Sequence, residues 1–181
     1  MFDRIIGVFK LDADTFEQIE HDETATSQAA VVVLMVALLG AVGGLIGALM
    51  GAGSPVMAFI GPLVGALVGW VVWSAATYFV GTSMFGGTAN MGEMLRVVGF
   101  AYAPQLLGLF NFIPCVGWLI ALAGWIWSLA AMIVAIKQGL DVDTGKAVVT
   151  ALVGWILVVI INVVIGLVFG GLQSVAYSLI G

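Results

Sequence analysis

Residues 96–116, RVVGFAYAPQLLGLFNFIPCV, decide how this chain is read. An arginine opens an otherwise apolar stretch, Pro104 interrupts it and Pro114 closes it. The stretch is long enough to cross a hydrocarbon core of about 30 Å, and a proline inside it removes a backbone donor from any helix that forms there. In an α-helix the carbonyl of Phe100 would lose its partner to Pro104, and Tyr102 and Gln105 place polar groups beside the break. Polar groups and unwound backbone persist at membrane depth only within protein or around water. Arg96, Tyr102, Pro104 and Gln105 therefore form a candidate polar site, and Asn162, the one strongly polar residue of the last apolar stretch, is added to it.

The rest of the chain supports a lipid environment. Of 181 residues, 62% are hydrophobic and 8% charged, too few charges to solvate so much apolar surface in water. Hydropathy divides the chain into five spans, about Ser27–Met50, Pro55–Gly81, Arg96–Val116, Trp118–Ile136 and Ala147–Phe169. The expected fold is all-α: a polytopic bundle of five transmembrane helices over residues 26–171. Short amphipathic helices precede it in residues 1–25, and a short apolar tail, residues 172–181, follows a break at Gly170 and Gly171.

Local signals set the expected boundaries. Phe2, Ile5, Ile6 and Phe9 recur at helical spacing, as in a helix lying at a membrane surface. Asp14 with Glu17, and Asn90 with Glu93, have the spacing of capping boxes. Glu20, His21, Asp22 and Glu23 read as a solvated polar cluster. Pro55 suits the first turn of the second span, and Asp143 or Thr144 suits the cap of the fifth. Pro62 lies inside the second span and kinks it unless a neighbour meets the carbonyl it frees.

Glycine spacing points to close helix packing. Gly40, Gly43, Gly44, Gly47 and Gly51 recur along the first span, and Gly61, Gly65 and Gly69 along the second. Helices in lipid associate where small residues let their backbones approach, so a hairpin packed glycine against glycine is expected.

All five basic residues, Arg4, Lys10, Arg96, Lys137 and Lys146, fall on the same side of the five-span map. The positive-inside rule then places the N-terminus in the cytoplasm and the C-terminus outside, in the cell membrane. The net charge of −5 comes from acids in the aqueous segments, and no basic stripe suggests nucleic acid. The single histidine lies outside the spans and the single cysteine is Cys115. No nucleophile–histidine arrangement, metal-ligand cluster or cofactor is therefore expected. The expected partners are lipid and either a protein helix or a second copy of the chain.

Two longer runs carry a resemblance: FGGTANMGEMLRVVGFAYAPQLLGLFNFIPCVGWL, residues 85–119, and AIKQGLDVDTGKAVVTALVGWI, residues 135–156. Their order of Gly86 and Gly87, Arg96, Ala103 with Pro104, Ile113 with Pro114, Gly117, and Lys146 with Ala147 resembles the YIP1 family of five-span membrane proteins, chiefly its short bacterial branch. The likeness implies an integral membrane protein with no known catalytic centre. Eukaryotic members are linked to vesicle traffic and bind prenylated Rab-type GTPases through an N-terminal region bearing Asp-Leu-Tyr-Gly-Pro. That stretch does not occur here, so GTPase binding is not carried over. The expected role is a non-enzymatic scaffold or accessory subunit acting through lateral helix contacts. The alternative is a small carrier or channel with a polar path at Pro104.

Overall fold

The computed structural model describes residues 1–51, 54–113 and 115–180, with the side chains of 112, 162 and 165–180 outside that description. The elements are α1 (Phe2–Phe9), α2 (Ala13–His21), α3 (Ala25–Leu49), α4 (Pro55–Phe85), α5 (Met91–Ala101), a 3₁₀ segment (Ala103–Phe112), α6 (Gly117–Gly139) and α7 (Thr144–Ile180). Every element is helical among the described residues. Helices α3, α4, α6 and the described part of α7 are each long and apolar enough to cross a membrane.

Their ends follow local chemistry. Ser54 precedes Pro55 at the first turn of α4, and Gly86, at φ +71°, closes that helix in the left-handed conformation. Asn90 accepts from the Glu93 N–H at 3.0 Å while Glu93 accepts from the Asn90 N–H at 2.7 Å, a complete capping box on α5. Asp143 accepts the Lys146 N–H at 3.1 Å and caps α7. On α2 the cap position falls to Asp12, two residues before the expected Asp14.

The third predicted span is not one continuous helix. With no N–H at Pro104, the chain leaves α5 after Ala101 and tightens into the 3₁₀ segment. Together α5 and this segment lie antiparallel along α6. Met94 and Val97 adjoin Gly139, the Pro104 carbonyl adjoins Gly124, and Phe110 and Asn111 adjoin Gly117. A second difference lies at the C-terminal end, where α7 runs through Gly170 and Gly171 instead of stopping there.

The core occupies one end of the bundle. Phe16, Ile19, Val32, Val97, Phe100 and Ile136 are among its fully buried side chains. Helices α1 and α2 fold over this end, with Ile5 and Phe9 packed on the core while Phe2 and Ile6 remain exposed. The Trp127 indole N–H donates to the Phe9 carbonyl at 2.8 Å. The amphipathic helix thus docks on the bundle with part of its apolar face. Elsewhere the helices present Val42, Ile46, Val64, Leu122 and Ile160 outward, as surfaces solvated by lipid do.

The α3–α4 hairpin packs differently from the expected glycine-to-glycine seam. A Cβ on Gly44 would collide with the Ala58 carbonyl, and one on Gly40 would lie 3.4 Å from the Pro62 ring. Among the described residues, Gly47, Gly51, Gly61, Gly65 and Gly69 have nothing within 4 Å of such a Cβ.

Candidate functional site

Each internal proline frees one carbonyl, and in both cases a neighbouring helix meets it. Pro62 cannot donate to Ala58, and the Ala58 carbonyl is the group against Gly44 of α3. The absent side chain admits a Cα–H close to that oxygen, a weak but favourable contact. At Pro104 the 3₁₀ geometry changes which carbonyl is orphaned. In an i→i+3 ladder the missing N–H belongs to Ala101, not to Phe100 as an α-helical reading expects. Ser128 of α6 fills the gap, its hydroxyl donating to the Ala101 carbonyl at 2.7 Å.

The same serine orients Gln105. Its hydroxyl hydrogen is committed to Ala101, so its oxygen can only accept, and Gln105 Nε2 donates to it at 3.1 Å. The hydrogen-bond network assigns the amide orientation: Nε2 faces Ser128, and Oε1 is the end left over. Among the described residues no donor reaches that oxygen.

The 3₁₀ segment also aligns residues that an α-helix would fan out. At three residues per turn, Gln105, Gly108 and Asn111 fall in one file about 12 Å long. The file faces Gly40, Gly43 and Gly44 of α3 across two adjoining cavities of about 370 and 590 Å³. A Cβ on Gly43 or Gly108 would meet nothing within 4 Å among the described residues. Leu38, Val42, Ile46 and Leu109 edge the groove. On the core side of Gln105 the bundle is closed, since Val32, Val33, Ala101 and Ala103 are fully buried.

Arg96 does not belong to this groove. It is 7% exposed, and its Nε donates at 2.8 Å to the carbonyl of Glu20, with Nη2 donating to the same oxygen. That carbonyl ends α2, where the helix dipole is negative. Arg96 therefore ties the N-terminal helices to the bundle. The Glu20 side chain is buried too, 5% exposed within a stretch that reads as solvated. Burial pushes its carboxyl up to about 7, His21 partly offsets this, and Asp141, Glu93 and Glu17 add to it. Nearby Asp22 is held at about 2 by hydrogen bonds from Thr24 and Arg4.

Tyr102 stacks edge-on against Trp73, ring centroids 6.4 Å apart, and faces the core instead of the groove. The Asn162 side chain lies outside the described residues. The candidate set thus divides: Pro104 and Gln105 act together through Ser128, while Arg96 and Tyr102 serve the core end. Sequence reasoning missed Ser128, Gly108 and Asn111 as site residues and placed Gly43 only in the glycine run of the first span. For Gly108 and Asn111 the signal is a three-residue spacing from Gln105, which becomes meaningful once the segment is known to be 3₁₀; Ser128 carries no such signal.

Long apolar helices whose proline breaks are repaired by intramolecular contacts define an integral membrane protein of the helix-bundle class. The chain belongs to the YIP1 family, whose Yip1 domain model matches residues 6–178, N-terminal helices included. Neither a curated protein nor a solved structure matches it.

Proposed function

We propose that this protein is a non-enzymatic scaffold or accessory subunit of the cell membrane, docking a partner transmembrane helix through α4. One observation carries the reading: Gly61, Gly65 and Gly69 form a stripe on α4 that the described residues leave uncovered. The intramolecular hairpin uses Gly40 and Gly44 of α3, with Ala58 and Pro62 opposite them. The α4 stripe floors a groove of about 410 Å³ whose other wall is α7 at Val158 and Ile161. From Met57 to Val72 that groove is about 22 Å long, roughly two thirds of a helix crossing of about 30 Å. Small residues in lipid favour close helix approach, so the stripe suits a helix from a second copy or another protein.

The topology in this reading has five crossings, the third made by α5 and the 3₁₀ segment. Its support is the alignment with α6 from Gly139 to Gly117. A 3₁₀ rise of about 2.0 Å per residue lets a short segment reach across. The cytoplasmic side is the core end, where Arg96, Lys137 and Lys146 lie. The alternative, a carrier or channel, is less supported because the groove beside Gln105 ends on closed core.

The test is crosslinking in native membranes, with Cys115→Ser as background and a single cysteine at Val64. A discrete adduct that disappears with Gly65→Leu and persists with Gly47→Leu supports the reading. A chain that stays monomeric and uncrosslinked from Val64 refutes it.

A further inference from the structure

We propose that the groove between α3 and the 3₁₀ segment binds an uncharged lipid bearing a hydroxyl group, diacylglycerol being the simplest of the class. The site lies apart from the α4 stripe and does not depend on how that stripe is used. Three features select the ligand. The first is the fixed amide: Ser128 holds Gln105 Nε2 and leaves Oε1 as an acceptor with no donor among the described residues. A hydroxyl supplies that donor. A docked transmembrane helix, by contrast, has its backbone donors spent internally.

The second feature is charge. Among the described residues the groove is lined by Gln105, Asn111, glycines and aliphatic side chains, with no ionisable group. A phosphate drawn alongside Gln105 would lose its hydration without gaining a countercharge. A neutral headgroup loses far less. Asn111, one end of the same file, offers a second donor and acceptor for ester or hydroxyl oxygens.

The third feature is shape. Gly43 and Gly108 leave open space between the helices, and Leu38, Val42, Ile46 and Leu109 provide an apolar rim for acyl chains. The closed layer below, from Val32 to Ala103, makes the groove a pocket with one end instead of a passage.

The probe is a diazirine-bearing diacylglycerol in phosphatidylethanolamine and phosphatidylglycerol vesicles holding the full chain. After illumination, adducts are mapped by mass spectrometry. Adducts are expected on residues 38–46 and 105–111. Unlabelled diacylglycerol should compete, and phosphatidic acid with the same acyl chains should not. Gln105→Leu should weaken labelling about tenfold, as loss of one buried hydrogen bond implies. Because Gln105 also touches Ser128, the independent variant is Gly43→Leu with Gly108→Leu, which fills open space and should abolish labelling at an unchanged unfolding midpoint. Gly65→Leu, in the other groove, should change nothing here. Adducts spread evenly over all lipid-facing helices would overturn the proposal. So would equal competition by phosphatidic acid, labelling that survives both leucines, or a protein segment crosslinked into the groove in place of lipid.

Discussion

Ser128→Ala tests whether the proline break is repaired from α6. In most membrane helices losing a serine hydroxyl costs little, because it bonds a carbonyl that already has a backbone donor; such interhelical bonds average about 0.6 kcal/mol. Ala101 is different, because its donor would have been the N–H that Pro104 lacks. Removing the hydroxyl strands a buried carbonyl and releases the Gln105 amide at once. A stranded buried acceptor costs about 1–3 kcal/mol, so about 2 kcal/mol is expected for Ser128→Ala. Pro104→Ala restores the backbone donor, and in that background Ser128→Ala should cost only about 0.6 kcal/mol. The coupling, above 1 kcal/mol, is read from a double-mutant cycle. Unfolding would be followed by tryptophan fluorescence in mixed micelles titrated with denaturing detergent. Equal cost of Ser128→Ala in both backgrounds would falsify the repair.

Two further outcomes follow from the geometry. Docking of α1 and α2 should weaken as pH rises from 4.5 toward 7 and level off above it. Glu20 binds its proton more tightly when docked, and that contribution is complete below the ordinary value and lost through the docked one, about 7. Asp22, at about 2, stays charged throughout the window. Hydrogen exchange at residues 13–21 reads the effect, and Glu20→Gln should flatten it; Arg96→Leu should raise exchange at every pH, and a pH-independent wild type would contradict the assignment. Gly44→Val should destabilise the hairpin by about 2 kcal/mol or more, since the new side chain meets the rigid Ala58 backbone. Gly47→Leu, facing open space, should leave the unfolding midpoint unchanged. A reversed order would show that α3 and α4 pack on another face.

Much of the architecture can be read from composition and local signals. An apolar fraction of 62% requires lipid as solvent whatever the tertiary contacts, and Ser54–Pro55, the Asn90–Glu93 box and Asp143 mark helix starts through bonds within a few residues. The YIP1 resemblance rests on the same kind of local order, and the Yip1 domain match covers nearly the whole chain. The polar cluster after Glu17 was legible as charge but not as burial. Glu20 becomes a buried carboxyl because α2 folds back onto the bundle, where Arg96, 76 positions away, holds the Glu20 backbone carbonyl.

The sequence alone determined that lipid is the solvent, that helices are the elements, and that Pro62 and Pro104 each leave a carbonyl without its helical donor. Tertiary structure decided that at Pro104 the orphan is the Ala101 carbonyl, not that of Phe100, and what meets each one: Gly44 of α3 at Ala58 and Ser128 of α6 at Ala101. It also decided that the chain after Pro104 winds at three residues per turn, bringing Gln105, Gly108 and Asn111 into one file. The physical reason is reach. Solvent preference and capping depend on a residue and its near neighbours, whereas satisfying an orphaned acceptor in hydrocarbon requires a donor that only a neighbouring helix can bring.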